Sequence, residues 1–190
     1  MAKGANDVIL RDRLQFDIDT NGNTALVYGR VDMSDYVSIV ENKGLAVKEI
    51  RFQLRSPTSP NGQFPLLMQQ LLPGTEQNAE IKIFATTTAY ELVADVGIAS
   101  PNVICVFEKR EFSLGSGNDL NFDDTFFGTP DLHPEGYDIV TDLLIGIACA
   151  GVTGVALAAV TCELDVMIIA EPKKITQKDL TQMLTQAQDL

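Results

Sequence analysis

Twenty consecutive residues without a charge, Leu143 to Cys162 (LLIGIACAGVTGVALAAVTC), constrain this chain more than any other feature. A stretch of that length either crosses a bilayer as a helix or lies inside a folded core. Ala150, Gly154 and Ala158 repeat small residues at four-residue spacing, as packed membrane helices do. Against a span stand the acidic flanks Asp142, Glu163 and Asp165, with no Lys or Arg beside them. Gly151-Val152-Thr153-Gly154 also divides the stretch like a turn. Beyond it, Val160, Cys162, Leu164, Val166 and Ile168 alternate with Thr161, Glu163, Asp165, Met167 and Ile169. A period of two that runs through charged residues belongs to a strand. Two buried strands joined by a Gly-containing hairpin are expected here, with a membrane span as the alternative.

The same period recurs along the chain. Leu14, Phe16 and Ile18 alternate with Gln15, Asp17 and Asp19, and Thr20-Asn21-Gly22-Asn23 supplies turn chemistry for a hairpin. Ala25, Val27, Gly29 and Val31 continue as the returning strand. Ile50, Phe52 and Leu54 face in from a third strand over 47–55, with Arg51, Gln53 and Arg55 facing out. A short inserted helix is expected from Pro65 to Leu72, ended by Pro73-Gly74. Further strands are expected over 80–88, 90–96, 102–114, 137–150 and 155–170, with a polar loop over 115–134. The tail differs: Thr176 is placed as N-cap with Asp179 at N3, and Ile175 and Leu180 form a hydrophobic staple. Leu180, Met183, Leu184 and Ala187 share one helical face. So short a helix is marginal alone, and its stripe must pack on this chain or on a neighbouring subunit.

With 190 residues, the chain is expected to form one main domain. The expectation is an all-β, antiparallel two-sheet sandwich of jelly-roll type over residues 1–171, with a C-terminal amphipathic helical tail over 172–190. Fourteen basic against 26 acidic residues leave a net charge of −12, which argues against a surface that coats nucleic acid. The apolar run Val8 to Leu10 is too short for a signal peptide, so export by that route is not expected. Cys105, Cys149 and Cys162 sit in apolar runs without metal spacing and read as buried free thiols in a reducing compartment.

Few constellations suggest chemistry. Asp17-x-Asp19-x-Asn21-Gly22 matches the first half of a calcium loop, with oxygen ligands at alternate positions and a Gly at the bend. The second half fails, since Tyr28 stands where a bidentate Glu belongs; Asp17, Asp19 and Asn21 read either as a hairpin approach or as a Ca²⁺ site. From Glu111 to Pro172 there are eleven acids and no Lys or Arg over 62 residues, which suits a solvated loop, divalent cations or a basic partner. Arg51, Arg55, Lys48 and Lys82 form either one outward basic patch or scattered solvated cations. His133, the only histidine, Gly115-Ser116-Gly117, and the pair Glu91 and Asp95 frame no nucleophile–base set, and no enzyme is expected.

Three segments carry a family resemblance. Gly29-Arg30-Val31-Asp32-Met33-Ser34-Asp35-Tyr36-Val37 leads into Leu45-Ala46-Val47-Lys48-Glu49-Ile50-Arg51-Phe52-Gln53-Leu54. The chain then closes on Cys162-Glu163-Leu164-Asp165-Val166-Met167-Ile168-Ile169-Ala170 and a polar helical tail. Together they resemble the single jelly-roll capsid proteins of small tailless icosahedral viruses, including those of archaea and marine environmental genomes. The likeness covers the plan of Val8 to Glu171 and carries over no catalytic residue. It implies a coat subunit: many copies associating in a virion assembled in the host cytoplasm, with Leu180, Met183 and Leu184 as an intersubunit contact. With no basic arm at either terminus, a second virion protein or an internal membrane is expected to line the inside. A jelly-roll module binding carbohydrate or a similar ligand, its loop supported by Ca²⁺, is the alternative, and a membrane-associated protein using Leu143 to Cys162 is a third.

Overall fold

A computed structural model describes residues 6–68, 77–113, 121–128, 135–154 and 156–186, with the backbone alone for 113, 121–128 and 182–186. Nine strands follow in order: β1 Val8–Asp17, β2 Thr24–Val31, β3 Lys43–Arg55, β4 Gln77–Thr86, β5 Val103–Ser113, β6 Asn121–Gly128, β7 Tyr137–Ile139, β8 Leu143–Ala150 and β9 Thr161–Lys174. One helix, α1 Gln177–Gln186, closes the described chain. The strands form two antiparallel sheets, one ordered β1-β9-β3-β7 and the other β2-β8-β4-β5-β6.

The sheets share one core. From the first come Phe16, Val47, Ile50, Leu164, Val166 and Ile168; from the second come Val31, Ile81, Ile83, Cys105, Ile145 and Ile147. The alternation expected along β9 is present, with Cys162, Leu164, Val166, Ile168 and Ala170 buried and the residues between them partly or fully exposed. β9 lies between β1 and β3, paired with β1 from Thr161 to Ala170 and with β3 from Glu163 to Lys174. Burying five consecutive inward side chains along a doubly bonded strand places the strongest hydrophobic and backbone restraints on the same residues.

The turns do other work than the one expected. Thr20-Asn21-Gly22-Asn23 does not return the chain beside β1, because β1 pairs with β9 while β2 pairs with β8 in the other sheet. Likewise β8 and β9 form no hairpin: β8 lies between β2 and β4, and β9 between β1 and β3. The apolar run over 137–150 is two strands, broken at Val140–Asp142 where the chain changes sheet. There the Asp142 carboxylate accepts the Met33 amide at 3.0 Å and pairs with the Arg30 guanidinium, tying the break to the end of β2.

Two expected elements are replaced. Residues 90–96 form no strand; they hold a 3₁₀ turn, Val93–Asp95, within the β4–β5 connection. That connection covers the second sheet's outward side, where Phe84, Val96, Val103 and Val106 form their own buried cluster with Leu26, Tyr28, Tyr90 and Val93 around it. Residues 65–68 are not helical, and the rest of the expected inserted helix lies outside the described residues. The expected loop over 115–134 contains β6; its remainder lies outside them. No helix among the described residues is long and apolar enough to cross a membrane.

Phe84 fixes what β8 can carry. A Cβ on Gly146 would stand 2.2 Å from the Phe84 ring, and Phe84 is fully buried and edge-on to both Tyr28 and Tyr90. The ring has nowhere to go. Gly146→Ala is expected to destabilise the fold by about 1–3 kcal/mol through overpacking, read as a lower urea midpoint with an unchanged slope.

Candidate functional site

Asp17, Asp19 and Asn21 are placed by the first change of sheet. Asp19 Oδ1 accepts the amides of Asn21 and Asn23, each at 2.8 Å, and so is turned onto its own loop. Asp17 Oδ1 accepts the Thr161 hydroxyl at 2.5 Å, while the Asp17 carbonyl accepts the Thr24 hydroxyl at 2.7 Å. The turn is in turn held by the connection before β9. The Val152 amide donates to the Gly22 carbonyl at 3.0 Å, the Gly151 amide to Asn23 Oδ1 at 3.2 Å and the Ala159 amide to the Asp19 carbonyl at 3.3 Å. Gly22, at φ +79°, lets this clasp close; a Cβ there would stand 1.8 Å from the Val152 carbonyl oxygen. The Asp17 and Asp19 oxygens thus serve amides and hydroxyls of two crossing loops. Among the described residues no three His, Cys, Asp or Glu side chains gather as a metal ion needs.

The tail folds back on its own chain. Thr176 caps α1, its hydroxyl accepting the Asp179 amide at 3.2 Å and donating to Asp179 Oδ2 at 2.6 Å. The Ile175 amide donates to the Asn42 carbonyl at 2.9 Å. Leu180 is buried with Ile175 and Val140, so this member of the expected intersubunit stripe is spent inside the subunit. The staple contact and the end of β9 hold it there. The side chains of Met183 and Leu184 lie outside the described residues. β9 itself runs past residue 171, where the tail was expected to begin.

One grouping of like side chains is absent from the sequence reading. On the outward side of the first sheet, Arg11 stands opposite Met167, and Met167 opposite Arg51. One row on, Arg13 faces Asp165, and the next row sets Gln15, Glu163 and Arg55 side by side. Arg11, Arg13, Arg51 and Arg55 are four of the chain's six arginines. Of the expected patch, Arg51 and Arg55 stand in these rows and Lys48 lies at their end. Lys48 reaches Asp7 and Glu171, both at 2.6 Å, and Lys82 lies in the other sheet with Glu108 at 2.9 Å. The missed signal is Arg11-x-Arg13, the same two-residue spacing that Arg51-x-Gln53-x-Arg55 carries.

Charges on this face are interleaved. Arg13 makes a two-pronged contact with Asp165 at 2.6 and 3.2 Å, and Arg55 approaches Glu163 at 3.4 Å and Asp165 at 3.7 Å. Arg51 pairs with Glu49 on its own strand. Arg11 has no acidic partner among the described residues. Arg11, Arg13, Arg51, Gln53, Asp165 and Met167 line a shallow depression of about 690 Å³. Four arginines and Lys48 nearly balance six carboxylates (Asp7, Asp17, Glu49, Glu163, Asp165, Glu171) on this side, in a chain whose net charge is −12. Such a face meets another surface with less repulsion than the rest of the molecule.

The remaining candidates carry structural roles or lie outside the described residues. His133 and Gly115-Ser116-Gly117 are among the latter. Glu91 and Asp95 are exposed on the loop over the second sheet. All three cysteines are free and buried, and burial pushes Cys105 up to about 12 and Cys162 up to about 11, so none is a ready nucleophile. Glu111, buried on β5, accepts the Met68 amide at 3.1 Å and stands 3.3 Å from the Lys109 ammonium, an internal pair that fixes the loop before β4. Comparison with known protein families and with curated proteins finds no match to this chain.

The Arg13 hydrogen bond holds the Asp165 carboxyl below its ordinary range, outweighing partial burial. Unfolded, that carboxyl titrates near pH ~3.9 and binds more protons than the native group there. Its stabilising share is complete above that pH and is lost as pH falls through the lower native value. Asp165→Asn is therefore expected to flatten the decline in melting temperature below pH ~4, measured by circular dichroism from neutral to strongly acid buffer. Asp19→Ala is expected to cost about 1–3 kcal/mol, since two turn amides lose their acceptor; urea unfolding with added EDTA or Ca²⁺ gives the size and tests any role for the ion.

Proposed function

We propose that this chain is the self-assembling coat subunit of an icosahedral capsid, built as a jelly roll. The observation that carries the fold reading is nesting. β1 pairs with β9, β2 with β8, β3 with β7 and β4 with β5, so partners close inward from the two ends of the chain. A long antiparallel ribbon rolled into two sheets gives that order, and β6 adds one strand at an edge. The likeness of 29–37, 45–54 and 162–170 to single jelly-roll capsid proteins supplies the functional half of the proposal.

The physical arrangement is compatible with that role. The core is completed within one subunit, and α1 is docked in cis, so assembly would use sheet edges, loops and the outward faces. A net charge of −12 keeps free subunits apart until short-range contacts offset the repulsion. In this reading the chain is a virion component that contacts many copies of itself and an inner layer of protein or membrane.

Purified protein should form closed shells of uniform diameter in negative-stain micrographs, and sediment as one fast boundary whose proportion grows with concentration. A single slow boundary at every salt and protein concentration, with empty micrographs, would overturn the coat reading.

A further inference from the structure

β1 is an edge of its sheet, with β9 on one side and no described strand on the other. The Ile18 amide donates to the Val160 carbonyl at 3.1 Å, and in an antiparallel ladder successive residues turn their backbone groups to opposite neighbours. Even-numbered residues of β1 therefore bond to β9, while Ile9, Arg11, Arg13, Gln15 and Asp17 aim their backbone groups outward. Two of these outward groups are met locally: the Arg13 amide donates to Asp12 Oδ1 at 2.7 Å, and the Asp17 carbonyl accepts the Thr24 hydroxyl. The outward groups of Ile9, Arg11 and Gln15 have no partner among the described residues.

Sheet edges are commonly protected by shortness, bulges, Pro or Lys. β7, at the other end of the same sheet, is three residues long, and β2 carries a register shift between Thr24 and Val27. β1 runs from Val8 to Asp17 in unbroken register and holds neither Pro nor Lys. Its inward side chains Val8, Leu10 and Leu14 are only partly buried, and Ile9 on the outward side is 52% exposed. A strand laid beside β1 would satisfy the open amides and carbonyls and cover those side chains.

The strand is also its own complement. Its two arginines and two aspartates cancel, in a chain whose charge of −12 makes copies repel elsewhere. Two copies of one strand pair antiparallel about a two-fold axis, which sets the residue on the axis opposite itself. An axis at Arg11, Asp12 or Arg13 sets like charges together, which is unfavourable. An axis at Leu14 sets Leu14 on Leu14, then Arg13 against Gln15 and Arg11 against Asp17 on either side. Those flanking pairs join residues whose backbone groups already point outward. Arg11 has no acidic partner among the described residues, and Asp17 commits only Oδ1, to the Thr161 hydroxyl.

We propose that two copies of this chain join edge to edge through β1, antiparallel about Leu14, so that their four-stranded sheets run on as one. Arg11 of each copy meets Asp17 of the other, and a Gln15 carbonyl replaces Asp12 Oδ1 on the Arg13 amide. The contact is isologous, the same surface on both subunits. It rests on the self-assembly reading above and names the pair of copies from which a shell would be built.

Cysteine cross-linking reads the register. Opposed residues of a non-hydrogen-bonded pair have Cα atoms about 4.5 Å apart, within reach of a disulfide. Leu14→Cys, oxidised in air with copper phenanthroline, should give a covalent dimer on non-reducing gels. Leu10→Cys, which would stand opposite Ile18, should give no more than wild type, whose cysteines are all buried. Sedimentation velocity then compares wild type with R11E, D17K and R11E/D17K, with melting temperatures to show that each folds. Each reversal should raise the dimer dissociation constant roughly tenfold. The double variant should recover most of that loss, because each copy carries both halves of the pair. If D17K weakens the clasp at Thr161 and unfolds, R11E and the Leu14 cross-link still decide. Dimers indifferent to the reversals, or cross-linking no greater at Leu14 than at Leu10, overturn the contact, and shells that form regardless leave the coat reading standing. Dimers that cross-link at Leu14 and obey the swap, yet never grow into shells, support the contact and overturn the coat reading. A wild type that stays monomeric overturns both.

Discussion

The inner row of β9 is the constraint on which the rest depends. Cys162, Leu164, Val166, Ile168 and Ala170 are all sealed in the core, while the same strand is paired with both β1 and β3 from Glu163 to Ala170. A one-residue slip would carry Glu163 and Asp165 inside and the apolar row out, so register is fixed by the hydrophobic term and held by two ladders. Once β9 is fixed, Arg13 must face Asp165 and Arg55 must lie beside Glu163. The outward charge pattern follows from the inward apolar one.

The crossings between sheets are the second restraint. The turn at Asp19–Asn23 and the connection over 151–160 are hydrogen-bonded to each other across the end of the sandwich. Each would otherwise leave loop amides without acceptors near a buried layer. Asp19 Oδ1 and Asn23 Oδ1 meet that need, and Asp17 Oδ1 holds the Thr161 hydroxyl beside them.

Much of the fold was legible in individual strands. Alternation in 14–18, 50–54 and 162–170 assigned inward and outward faces that the structure bears out. The capping residues Thr176 and Asp179 marked the start of α1 correctly. The errors share one cause. Turn chemistry at Thr20–Asn23 is the same whether the chain returns beside its last strand or steps to the opposite sheet, and an apolar run such as 137–150 does not show where it changes sheet. Residues 90–96 looked like a strand because a loop lying on Phe84 needs apolar residues too. The arginine face was missed for a related reason: Arg11 and Arg13 lie forty residues and one strand away from Arg51 and Arg55, and only β9 between them makes a face.

By itself the sequence determined where most of the strands lie, which side of each is apolar, and that charge accumulates unevenly along the chain. Those properties belong to side chains, whose alternation is local. Only the tertiary structure decided which strands are neighbours, which sheet each joins, and therefore which charges meet. Ladder hydrogen bonds are made by backbone groups common to nearly every residue, so a strand's letters say how it is oriented without naming its partner.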